Sequence, residues 1–110
     1  MARALTNALL LRSILNAPDP AAAYLQHALK RTTQQFCAQY SCTPQGVNEG
    51  SCLEFAGAIR AACIGTKMRM QESGPPHCFI EHNGKFYDAE CHQGVCDWHE
   101  LPFFKRLASN

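Results

Sequence analysis

Apolar positions in residues 3 to 15, RALTNALLLRSIL, fall at Leu5, Ala8, Leu9, Leu11, Ile14 and Leu15. These mixed spacings of three and four predict an amphipathic helix. The stretch NAPDP ends it and opens a second helix, because Asp19 can cap free backbone N–H groups while Pro20, lacking an N–H, suits the first helical position. The second helix is expected to run to about Tyr40, with Leu25, Ala28, Leu29, Thr32, Phe36 and Tyr40 on its apolar face and Lys30, Arg31 and Gln34 elsewhere. SCTPQGVNEG, residues 41 to 50, carries Pro44, Gly46, Asn48 and Gly50 and reads as a turn-rich connection. A third helix is expected from Ser51, where SCLE has the pattern of a capping box joining Ser51 and Glu54. Cys52 then lies in the first turn, at the head of a buried stripe that continues through Phe55, Ala56, Ile59 and Cys63.

The pattern changes period in HCFIEHNGKFYDAE, residues 77 to 90. Asn83-Gly84 is a strong two-residue hairpin signal, since both turn residues must take positive φ. Such a turn sets His77 opposite Glu90, Phe79 opposite Asp88 and Glu81 opposite Phe86 on one face of the ribbon. Cys78, Ile80, His82, Lys85, Tyr87 and Ala89 occupy the other face. In the tail, a short helical turn is expected near Asp97 to Leu101, with Trp98, Leu101, Phe103 and Phe104 closing a core edge. The fold class read from these elements is α+β, with N-terminal helices and a third helix packed on a small antiparallel sheet. It is read as one domain over residues 1–110: a helical scaffold (1–42), a helix-and-hairpin unit (48–90) and a closing tail (91–110).

Composition agrees with a single core: 110 residues are 46% hydrophobic. The formal net charge is +1 and no Lys/Arg run exceeds two residues, so a nucleic-acid partner is not expected. The apolar patch at Ala8 to Leu11 is interrupted by Arg12, which supports neither a signal peptide nor a membrane span. A cytoplasmic location is therefore expected. In that setting seven cysteines point to reduced thiols, a metal site or a catalytic residue.

A catalytic cysteine needs stabilisation of its anion, a base to hold its proton and a group to orient that base. Cys52 in a first helical turn, His77 at a strand start and Glu90 across the ribbon supply the three, with Asp88 on the same face as the alternative acid. The backbone N–H of Cys52 or a neighbouring loop amide could then stabilise an oxyanion, and Gln45 is a weaker candidate side chain for that role.

The order of cysteine on a helix N-terminus, histidine on a strand and acid on the next strand resembles the transglutaminase-like proteins of the papain-like superfamily. GSCLEFAGAIRAAC looks like their nucleophile helix, HCFIE like their His-x-aromatic-x-Glu strand, and FYDAE like the strand that carries their acid. The resemblance spans roughly residues 48 to 90 and implies a papain-like cysteine protease fold, with Cys52, His77 and Glu90 as nucleophile, base and orienting acid. It implies a cofactor-free, cysteine-dependent hydrolase of amide bonds acting on a protein or peptide. An acyltransferase or deamidase on the same site is the nearest alternative. Two others come from different classes. CHQGVCDWH offers Cys91, His92, Cys96 and His99 as zinc ligands, although C-x₄-C followed by x₂-H is compressed for a tetrahedral site and no metal is expected. A non-catalytic binding module would keep the fold and use the cleft for recognition alone. Cys37, Cys63 and Cys78 are expected to be buried, inert thiols.

Overall fold

The computed structural model describes residues 2–72 and 74–109, with side chains described from residue 8 onward. Helix α1 (Ala2–Leu15) is followed by α2 (Pro20–Tyr40), where the Asp19 carboxylate accepts from the Ala22 N–H at 3.2 Å and proline occupies the first turn. The buried line of α2 is Leu25, Leu29 and Thr33, flanked by half-buried Ala28 and Phe36. Tyr40, expected on that face, is exposed, and Thr33 rather than Thr32 is buried, because a strict spacing of four carries the seam one residue around the helix.

Residues 44 to 50 correct the sequence reading: they form a helix, α3 (Pro44–Gly50), rather than a turn-rich connection. The supposed breakers are a start signal. The Thr43 hydroxyl accepts from the Gly46 N–H at 3.2 Å and Pro44 lies in the first turn, while Val47 and Asn48 are buried. Ser51 alone separates α3 from α4 (Cys52–Ala62) and serves as C-cap of one and N-cap of the other. The expected capping box does not form, and Ser51 makes no side-chain cap bond. Its backbone N–H already donates to the Val47 carbonyl at 2.8 Å, so Glu54 has no free N–H to reach back to.

Four antiparallel strands follow in the order β1 (Lys67–Gln71), β2 (His77–His82), β3 (Lys85–Asp88) and β4 (Cys91–Val95). Asn83 and Gly84 turn at φ 50° and 76°, and His82 pairs Lys85, Glu81 pairs Phe86 and Ile80 pairs Tyr87, the expected register. The ribbon does not extend to Glu90. Asp88 pairs with Cys91, so Ala89 and Glu90 become the turn into β4. A bulge in β4 places Gly94 at φ 83°, against the ring of Tyr87.

The two sheet faces are covered differently. Cys78, Ile80, Tyr87 and Ala89 join Leu25, Leu29, Val47, Phe55, Ala56 and Ile59 in the main core beneath the helices. On the opposite face Phe79 meets Phe86 of the sheet as well as Trp98 and Phe104, from the 3₁₀ turn Trp98–Glu100 and helix α5 (Pro102–Ser109). Among the described residues the architecture is thus α+β, five α-helices and one four-stranded antiparallel sheet. No described helix is long and apolar enough to cross a membrane.

Candidate active site

Cys52 is half-buried at the first position of α4, where the helix end abuts the start of β2. Its Sγ accepts the backbone N–H of Cys78 at 3.4 Å, beside the strand residue that follows His77, and the thiol makes no hydrogen bond to the His77 ring itself. The helix packs on β2 because Phe55, Ala56 and Ile59 bury against Cys78 and Ile80, so the apolar stripe that builds the core also docks the cysteine.

His77 has no exposed side-chain surface, and its Nε2 lies 2.9 Å from Asp88 Oδ2, itself only 1% exposed. A carboxylate only accepts, so Nε2 carries the hydrogen and donates it. That tautomer leaves a lone pair on Nδ1, which is buried without a hydrogen-bond partner among the described residues. The ring is fixed by stacking on Phe103 at 4.1 Å and by edge contact with Phe104 at 5.4 Å. The other Asp88 oxygen, Oδ1, accepts the Glu90 backbone N–H at 2.9 Å, so the carboxylate is held from both sides.

Glu90, the acid expected opposite His77, is instead engaged elsewhere. Its Oε2 accepts from Arg106 Nη1 at 2.8 Å, and its Oε1 accepts from Arg106 Nη2 at 2.7 Å and from Asn48 Nδ2 at 2.8 Å. Burial pushes its carboxyl up, but the Arg106 and Asn48 hydrogen bonds and the guanidinium charge outweigh this and hold it below the usual carboxylate range. The physical reason for the exchange is the end of β3: the chain turns after Asp88, and the imidazole reaches the nearer carboxylate diagonally across the ribbon. Gln45 is exposed and donates to Glu49 at 3.0 Å.

Sequence reasoning missed Asn48 and Arg106. Asn48 is 1% exposed and closes a ring of contacts, its Oδ1 accepting the Ala89 N–H at 3.4 Å. A polar residue four positions before the cysteine was legible in VNEGSC, but its burial depends on α3 being a helix.

All seven cysteines are free: Cys63 and Cys78 are buried, Cys37, Cys42, Cys52 and Cys91 are half-buried, and Cys96 is exposed. Burial, helped by the nearby Cys52, pushes the Cys78 thiol up to about 11, and burial is also the first cause raising Cys37, Cys63 and Cys91. The tail ligands do not gather. His92 Nε2 donates to the Ala89 carbonyl at 2.8 Å and lies 3.0 Å from the Thr33 hydroxyl, while His99 binds Asp97 at 2.6 Å. Among the described residues no group of three or more His, Cys, Asp or Glu side chains could hold a metal ion. Two grooves of about 420 and 430 Å³ run along α1 and α2, and neither is lined by Cys52, His77 or Asp88.

No family model matches this chain, and no curated protein or solved structure matches it either.

Proposed function

We propose that this chain is a small cysteine-dependent hydrolase of amide bonds, a reduced form of the transglutaminase-like, papain-related fold, acting on a protein or peptide in the cytoplasm. The reading rests chiefly on the buried, unpartnered Nδ1 of His77, on a ring whose other nitrogen is committed to Asp88. An unsatisfied buried nitrogen is costly, and a base awaiting a proton accounts for that cost. Cys52 supplies the proton in this reading, Asp88 is the orienting acid in place of Glu90, and seven free thiols agree with a reducing compartment.

The mechanism follows from these groups. The Cys52 proton passes to His77 Nδ1 as sulfur attacks the substrate carbonyl carbon, and the carbonyl electron pair moves onto oxygen. Backbone N–H groups in the first turn of α4 face the developing negative charge. Collapse expels the amine, which takes the proton from His77 and leaves a thioester on Cys52. Water then gives a proton to His77 and attacks the thioester, and on collapse the thiol recovers that proton as the carboxylic acid leaves. Asp88 keeps the imidazole in one tautomer and stabilises its cationic form throughout. If an amine enters instead of water, the same steps transfer the acyl group.

An activated ester, p-nitrophenyl acetate, tests this without knowledge of the substrate. Cys52 should acquire an acetyl group, seen by peptide mass mapping, and lose it slowly to water. His77→Ala should slow acylation by about 10²–10⁴-fold. Acetyl groups spread over exposed thiols and amines, or Cys52 acylation indifferent to His77→Ala, would contradict the proposal.

A further inference from the structure

Helix α5 contacts the His77 ring directly and, one turn further along, the Glu90 side chain that neighbours Asp88. Phe103 stacks on the His77 ring at 4.1 Å, and Arg106 grips the Glu90 carboxylate with two hydrogen bonds of 2.8 and 2.7 Å. The Glu90 backbone N–H in turn donates to Asp88 Oδ1 at 2.9 Å, and Asp88 Oδ2 meets His77 Nε2 at the same distance. Asn48 fastens the turn from the helical side, donating to Glu90 at 2.8 Å and accepting from Ala89 at 3.4 Å. The path from Arg106 to the imidazole therefore runs through groups in direct contact.

We propose that Arg106 is a positioning residue of the site, acting through Glu90 to hold the Ala89–Glu90 turn that aims Asp88 at His77. The inference rests on the reading of Cys52, His77 and Asp88 as a catalytic set. A two-pronged guanidinium–carboxylate contact fixes direction as well as distance, which a lysine's single ammonium does less well. Without it the turn is free to shift, Asp88 loses its fixed donor, and the imidazole is no longer held in one orientation.

The test is the pH profile of Cys52 alkylation by iodoacetamide, read by peptide mapping, together with the melting temperature of each variant. In the wild type, Cys52 should remain reactive down to about pH 6. Arg106→Met should lose about tenfold or more of that low-pH rate while matching the wild type above about pH 9, where any accessible thiol is largely ionised. Arg106→Lys should recover part of the low-pH rate. The double variant Glu90→Met with Arg106→Met removes both charges, so neither is left buried and unpaired. It should regain melting temperature but not the low-pH rate, and it carries the test if Arg106→Met does not fold. A wild-type pH profile in Arg106→Met, or in the double variant, would overturn the positioning role. If wild-type Cys52 itself reacts only as an ordinary thiol, the hydrolase reading fails, and this inference falls with it.

Discussion

Asp88 and Glu90 differ by one methylene and sit two positions apart, yet the turn between them gives them different partners. Asp88 reaches His77, while Glu90 reaches Arg106 and Asn48. Asp88→Asn keeps the shape but removes the orienting charge and allows the wrong imidazole tautomer. It should cut Cys52 acylation by about 10²–10⁴-fold. Glu90→Gln should cost less, because an amide oxygen can still accept from Arg106. Rates of acetyl transfer from p-nitrophenyl acetate to the two variants decide the order, and a reversed order would return Glu90 to the imidazole. The placing of Cys52 at a helix start and of His77 at a strand start was legible in the sequence because each is marked locally. Which carboxylate meets His77 stayed open there between Glu90 and Asp88, since the choice depends on where β3 ends, which β4 settles through the pairing of Asp88 with Cys91. Arg106 was invisible for a similar reason: its partner lies 16 positions away in another element.

Among the elements, the hairpin was readable because Asn83-Gly84 dictates its own backbone, and the paired residues follow by counting. Helix α3 was not, because proline and glycine near a helix start look the same as in a loop until Thr43 is seen to cap it. The edge strand β1 gave no signal: KMRMQ is mostly exposed, with Met68 half-buried against the core. Strand β4 has its own constraint at Gly94. A Cβ built there would lie 2.6 Å from Cε1 of Tyr87, whose ring is only 3% exposed and has little room to retreat. Gly94 also stands at φ 83°, where alanine is strained. Gly94→Ala should therefore destabilise the chain by about 2–4 kcal/mol in denaturant titration. A loss under about 0.5 kcal/mol would mean that the bulge relaxes freely around the methyl group.

Across the whole molecule, the sheet divides labour between its faces, a helical core on one and the aromatic layer that encloses His77 on the other. The Glu90–Arg106 contact ties that second layer to the sheet and makes stability depend on acid. Because the folded Glu90 carboxyl is held below its ordinary range, the unfolded chain takes up this proton first as pH falls. The contribution is complete above the usual glutamate value of about 4.3 and is lost as pH drops through the lower folded value. Melting temperature should thus fall on acidification from about pH 5 to about pH 3, and less steeply in Arg106→Met. Equal slopes would mean that other carboxylates dominate. Asp97, exposed beside His99, is lowered in the same direction but is open to solvent screening. The central claim, that Cys52 is set apart from the other thiols by His77 and Asp88, is tested most directly by limited iodoacetamide labelling at about pH 6 with peptide mapping of all seven cysteines. The account predicts that Cys52 takes the label first and loses this lead in His77→Ala. Labelling at exposed Cys96 or at Cys91 with Cys52 untouched would contradict it.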